Sequence, residues 1–144
     1  MTCVAWDGNT IAADGRIYAP SNQIIVTDTF KKILKLKNGG IIGFSGVWYA
    51  AEGFRRWLDG EAEAPEIGDT SFHIVYIDSK YRVWEYDNTT KIAIETSKIG
   101  AIGSGTPNAL TTLDLGLDAV TAVKMAIKRD PMCGGKIRSI RYRD

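Results

Sequence analysis

The sequence has 144 residues, 44% of them hydrophobic and 24% charged, with Lys and Arg totalling 18 against 17 for Asp and Glu. That length suits one domain, spanning 1–144, able to bury a core without metals or crosslinks, and a net charge of +1 excludes the basic excess of a nucleic-acid binder. Cys3 and Cys133 form no CxxC pair, the single histidine (His73) excludes a His-rich metal site, and no apolar run has the length of a membrane span or the pattern of a secretion signal. The expectation is a soluble cytoplasmic protein with two reduced thiols, no metal and no membrane partner.

In chain order, TCVAW and TIAAD flank Asp7-Gly8-Asn9, which predicts a β-hairpin. The segment QIIVTDTFKKILKLKNGGIIGFSG carries more strands: within it KILKLK alternates apolar and basic residues, NGG turns, and IIGFSG reads as a buried strand. Val47, Ala50, Ala51, Phe54, Trp57 and Leu58 then recur at helical spacing, up to the stop at Asp59-Gly60. EAEAPEIGD is a polar connection, and FHIVYID and YRVWEYD form a second hairpin, with His73 a packed or half-exposed strand residue. IAIETSKIGAIGSG is one strand or two, ending in a glycine-rich corner.

Thr106-Pro107 predicts an N-cap followed by proline at the first helical position, with Leu110, Leu113 and Leu117 as the apolar stripe. Asp118 caps a second helix with Ala119, Val120, Val123, Ala126 and Ile127 facing inward, RDPMCGG breaks it, and KIRSIRY returns as a strand. Helices grouped between runs of strands predict an α+β layered fold rather than a parallel βαβ sheet.

Two segments are candidates for chemistry. GAIGSGTP follows a strand and opens a helix, as a phosphate loop does, but it lacks the third glycine of GxGxxG and the GK[ST] of a P-loop. Its glycines read as a tight strand-to-helix corner. The other candidate is Thr2. Removal of Met1 would leave a hydroxyl and a free α-amine on one residue, and an amine with pKa near about 7.7–8.0 can take the hydroxyl proton. A neighbouring lysine would help to keep that amine neutral and would stabilise an alkoxide. Read singly, Asp14 is a turn former, Lys32 a solvated strand face and Asp130 a helix terminator.

Taken in order, TCVAW, AADG, FKKILKL, IIGFSG, AIGSG and RDPMCGG form a more specific set, with Lys32 fourteen residues before Gly46. In this the sequence resembles, over nearly its whole length, the proteasome β-type family of N-terminal nucleophile (Ntn) hydrolases, including the bacterial HslV peptidases. The resemblance implies an αββα four-layer sandwich. Here the outer helical layer would be reduced, because a short acidic connection stands between Leu58 and Phe72 where the family has a second long helix.

It further implies a threonine peptidase that cleaves amide bonds of peptides or unfolded proteins through an acyl ester, without a cofactor. Thr2 would be the nucleophile, Lys32 would tune its ionisation, Asp14 would orient Lys32, and the Gly46 N–H would form the oxyanion hole. Ser104 and Asp130 would hold the amine and relay protons, and Cys133 stands where the family has serine. Phe44 and Trp48 would line the specificity pocket, and their bulk suggests a shallow pocket for small side chains or a closed one; alternatively, Trp48 packs into the helix interface. The family implies a homo-oligomer and an unfolding ATPase partner, and the missing helix weighs against both the stacked ring and that partner. Two alternatives stay open: an inactive subunit acting in assembly, and a small-molecule amidase on the same scaffold.

Overall fold

The computed structural model describes residues 2–46, 51–65, 71–87 and 93–144. Within them the strands are Val4–Trp6 (β1), Thr10–Ala13 (β2), Ile17–Ala19 (β3), Ile24–Thr27 (β4), Ile33–Lys35 (β5), Ile41–Gly46 (β6), Phe72–Ile77 (β7), Val83–Asp87 (β8), Ile94–Glu95 (β9), Gly100–Ile102 (β10) and Arg138–Arg141 (β11). The helices are Ala51–Leu58 (α1), Thr106–Asp114 (α2) and Ala119–Arg129 (α3). The fold is thus mixed α/β, with its helices grouped as the pattern of elements predicts.

β1 and β2 pair through the Asp7-Gly8-Asn9 turn, where the Asp7 carboxylate accepts the N–H groups of Asn9 and Thr10 at 2.9 and 2.8 Å. They form the centre of a four-stranded sheet of order β10-β1-β2-β11. A five-stranded sheet has order β5-β6-β7-β8-β9, and β3 and β4 form a separate ribbon. Every described pairing is antiparallel. This agrees with the absence of βαβ spacing in the sequence.

Alternation along the first hairpin divides the core. Cys3, Ala5 and Ala12 pack against α2 and α3, together with Ala109, Leu113, Ala119, Ala122, Val123, Ala126 and Cys133. Val4, Trp6, Ile11 and Ala13 point the other way, into a cluster with Ile33, Ile41, Val75, Ile77, Val83 and Ile102. A period of two residues per repeat requires this split. Gly43 of β6 lets the two sheets approach, since a Cβ there would lie 2.7 Å from a Val4 methyl. On the far face of the second sheet, Ile42, Phe44 and Ile74 are covered by Ala51 and Phe54 of α1.

α3 follows its expected cap, with the Asp118 carboxylate accepting the Thr121 N–H at 2.8 Å. α2 departs from expectation twice. Its N-cap is Gly105, and Thr106 lies inside the first turn with its hydroxyl donating to the Gly103 carbonyl at 2.6 Å. Its buried face is Ala109, Thr112 and Leu113, whereas Leu110 and Leu117 are exposed. Of the expected leucine stripe only Leu113 faces inward, beside the smaller Ala109 and Thr112.

In the connection after α1, residues 59–65 carry no helix. Among the described residues no helix is long and apolar enough to cross a membrane. His73 is half-exposed on β7, 2.7 Å from Glu85. Both cysteines are free thiols in the core.

Candidate active site

Thr2 immediately precedes β1, and three consecutive residues of the 103–105 corner clasp it. Gly103 has φ +97°, and a Cβ there would stand 2.1 Å from the Thr2 carbonyl oxygen, so only glycine fits. The Thr2 N–H donates to Ser104 Oγ at 3.2 Å, and the Gly105 N–H donates to the Thr2 carbonyl at 3.0 Å. The glycine-rich corner thus holds the chain start against the α2 terminus, as a structural corner and not as a phosphate loop.

On the other side of Thr2 lies a buried ion pair. Lys32 Nζ is 2.8 Å from Asp14 Oδ1 and donates to Thr2 Oγ1 at 3.3 Å and to the Arg16 carbonyl at 2.5 Å. Thr2, Asp14 and Lys32 are 6%, 1% and 3% exposed. A buried carboxylate and ammonium are tolerable only when paired and hydrogen-bonded. Asp14 satisfies this by also accepting the Cys3 N–H at 3.1 Å and the Gly134 N–H at 3.0 Å. Lys32 is set by its own backbone, because its carbonyl accepts the Phe44 N–H at 2.9 Å just before β5.

A second chain of bonds runs from the Thr2 nitrogen. Ser104 Oγ donates to Asp130 Oδ2 at 2.6 Å, and Cys133 Sγ donates to the same oxygen at 3.4 Å while lying 3.8 Å from Ser104 Oγ. Partial burial acts to raise the Asp130 pKa. The Ser104 hydroxyl, the Met132 N–H and the Cys133 thiol outweigh it and hold the carboxyl below its ordinary range. Burial, with the charges of Asp14 and Asp130, pushes the Cys133 thiol up to about 12. Burial likewise raises Cys3. Both sulfurs are therefore protonated and un-nucleophilic at neutral pH.

Six of the nine residues singled out in the sequence thus meet in one hydrogen-bonded network: Thr2, Asp14, Lys32, Ser104, Asp130 and Cys133. Gly46 ends β6 with φ +107°, a conformation that suits glycine, and a Cβ there would meet the Ser71 carbonyl at 2.5 Å. Phe44 is buried under α1, its ring centroid 6.1 Å from that of Phe54. Trp48 and Met1 lie outside the described residues. Sequence reasoning missed Gly103, Gly105, Arg16 and Asp28. The glycines carried a signal in their GSG spacing, whereas Arg16 and Asp28 carried none, since charged residues in a loop look solvated. Among the described residues, no group of three or more His, Cys, Asp or Glu side chains is arranged to hold a metal ion.

No family model matches the chain, and no curated protein matches it in sequence. Solved structures do. A Thiobacillus denitrificans protein described as BPH superposes with a TM-score of 0.71 at 16% identity, over 97% of this chain and 96% of that one. HslV from Trypanosoma brucei gives 0.68 at 17% identity, over 97% and 98%. The chain shares their fold. The Thiobacillus protein in complex with epoxomicin gives 0.65 at 14% identity, over 96% of each chain.

Proposed function

We propose that this protein is a threonine-type Ntn hydrolase that cleaves amide bonds of peptides through an acyl ester on Thr2, once the residue before Thr2 has been removed. One observation carries the reading: a buried Lys32–Asp14 pair has its ammonium 3.3 Å from Thr2 Oγ1, while the Thr2 nitrogen faces Ser104 and Asp130. The three core clusters would then be the interfaces of an αββα four-layer sandwich with a thin outer helical layer.

The chemistry follows from these positions. The freed α-amine of Thr2 accepts the hydroxyl proton as Oγ1 attacks the substrate carbonyl. The Lys32 ammonium stabilises the developing alkoxide, and Asp14 aims it through their 2.8 Å contact. The Gly46 N–H would receive the oxyanion, and loss of such a donor typically raises a barrier by about 3–4 kcal/mol. The amine proton passes to the leaving amine, and water activated by the same amine then hydrolyses the ester. Ser104 and Asp130 hold the amine and relay protons. The specificity pocket would be shallow, taking small side chains, or closed, the bulk of Phe44 and Trp48 in the sequence being what supports this. A soluble homo-oligomer in the cytoplasm, acting on peptides or unfolded proteins, fits this reading. An unfolding ATPase partner is the weakest part of it, because residues 59–65 supply no helix.

The test is intact mass before and after epoxomicin, the molecule bound in one structural neighbour. One adduct on Thr2, and none on Thr2→Ala, is expected. Loss of activity in Thr2→Ala by about a thousandfold or more is expected too, since the nucleophile has no substitute. Unlabelled protein that begins at Thr2 would instead favour the inactive-subunit reading, to which the thiol of Cys133 lends the one observation in its favour. Hydrolysis of simple acyl amides but not of peptides would favour an amidase.

Activity requires the neutral amine, so kcat/KM falls about tenfold per pH unit below about 7.5–8. Asp130, held below its ordinary range, stays ionised across that interval and adds no second limb. A pH-rate profile of peptide hydrolysis that is flat from pH 8 to about 6 would contradict an amine base.

A further inference from the structure

Arg16 joins three segments that the site depends on. Its guanidinium meets the Asp28 carboxylate in a fork, Nε to Oδ1 at 2.8 Å and Nη2 to Oδ2 at 3.3 Å. Its remaining nitrogen, Nη1, donates to the Pro131 carbonyl at 3.1 Å and to the Cys133 carbonyl at 3.5 Å. Its backbone N–H donates to Asp14 Oδ2 at 3.4 Å, and its carbonyl takes a Lys32 Nζ proton at 2.5 Å. The neighbouring loop leaves room for this, because a Cβ on Gly134 would stand 2.4 Å from Arg16 Cζ.

A lysine ammonium has three donors. Among the described residues, Lys32 Nζ donates to Thr2 Oγ1, Asp14 Oδ1 and the Arg16 carbonyl. The Arg16 carbonyl is therefore one of the points that aim Lys32 at Thr2. Its position is tied through the guanidinium to the loop between Asp130 and Cys133. One residue sets the Lys32 side and the Asp130 side of Thr2 relative to each other.

We propose that Arg16, held by Asp28, is a positioning residue for the Thr2 reaction, fixing the distance between the Lys32–Asp14 pair and the Asp130–Cys133 loop. The proposal rests on the reading of Thr2 as nucleophile. Arg16 and Asp28 side chains are 21% and 42% exposed, and a pair so exposed contributes little to global stability. Backbone bonds also hold the loop without it, Gly15 N–H to the Gly134 carbonyl at 2.9 Å and Lys136 N–H to the Asp28 carbonyl at 2.8 Å. The pair therefore matters for geometry. Displacement of a catalytic group by about 1 Å can lower a rate about a hundredfold.

The experiment compares the rate of Thr2 labelling by epoxomicin in wild type, Arg16→Ala, Arg16→Lys and Asp28→Asn, with thermal unfolding of each. Arg16→Ala and Asp28→Asn are expected to lower the maximal labelling rate by about 10- to 100-fold, with half-saturation within about twofold. The acid limb of the labelling rate should move to higher pH, because a loosened Lys32 favours the neutral amine less. Arg16→Lys should recover only a minor part, since an ammonium cannot form the fork. Should Arg16→Ala fail to fold, the near-isosteric Asp28→Asn still decides the matter. Wild type labelled on Thr2, with folded variants labelled at the same rate and with the same pH midpoint, would overturn this proposal alone. Wild type that begins at Thr2 and stays unlabelled would overturn the parent reading and this one together.

Discussion

The two helix-covered faces of the molecule are packed differently. Between the first sheet and helices α2 and α3 the contacts are mostly small: Cys3, Ala5, Ala12, Ala109, Ala119, Ala122, Ala126 and Cys133. Between the second sheet and α1 they are aromatic, with Phe54 centroids 6.1 Å from Phe44 and 4.8 Å from Phe72, and Trp57 5.6 Å from Tyr86. Small residues let backbones approach closely, and the Thr2 clasp depends on that approach. Gly105 makes the limit visible, since a Cβ there would lie 2.8 Å from Cys3 Cβ and 2.9 Å from Ala126 Cβ. Aromatic contacts supply area and cohesion without such tight backbone contact. The lesson is a division of labour: one face provides precision around Thr2, the other supplies bulk stability.

Losses made separately on each face distinguish their roles. Phe54→Ala removes the centre of the aromatic cluster and should cost about 3–5 kcal/mol in chemical denaturation. The labelling rate per folded molecule should stay near that of wild type. A large drop in that rate would show that the α1 face also controls the site.

Gly105→Ala should cost less in stability, about 1–3 kcal/mol from overpacking. Its effect on labelling should be much larger than that of Phe54→Ala, because the added methyl displaces Cys3 and with it Thr2. Equal labelling in the two variants would dissolve the distinction between the faces.

Cys133→Ser makes the smallest change on the small-residue face. A hydroxyl is a better donor to Asp130 than a thiol, and the change removes a sulfur whose ionisation is suppressed to about 12. Labelling should rise by about two- to tenfold, the value of one improved hydrogen bond of about 0.5–1.5 kcal/mol. A fall would mean that the sulfur's size in the small-residue packing outweighs its weak bonding.

Much of this was legible in the chain. The Asp7-Gly8 turn, the β6 and β7 strands and the Asp118 cap rest on local rules, and the structure follows them. Of the expected α2 stripe only Leu113 packs on the first sheet: apolar spacing ranks leucine above alanine, whereas most of the contacts against that closely packed sheet are small. Arg16 and Asp28 were illegible for another reason. Arg16 has partners in the 131–133 loop, more than a hundred residues away, Asp28 is set by Arg16 itself, and a loop arginine has no periodic pattern to betray it.

The grouped helices and the antiparallel pattern follow from the sequence, since turn residues and alternation are local properties, and the residues suited to threonine chemistry stood out only through their ordered resemblance to a known family. Only the tertiary structure decided that these residues meet. Ser104 reaches the Thr2 nitrogen across 102 residues, and Lys32 reaches its hydroxyl across 30. Those contacts exist because β10 pairs with β1 and because the two sheets stack through Gly43 and Val4. Such pairings are chosen by the collective burial of the whole core, which no single stretch of sequence contains.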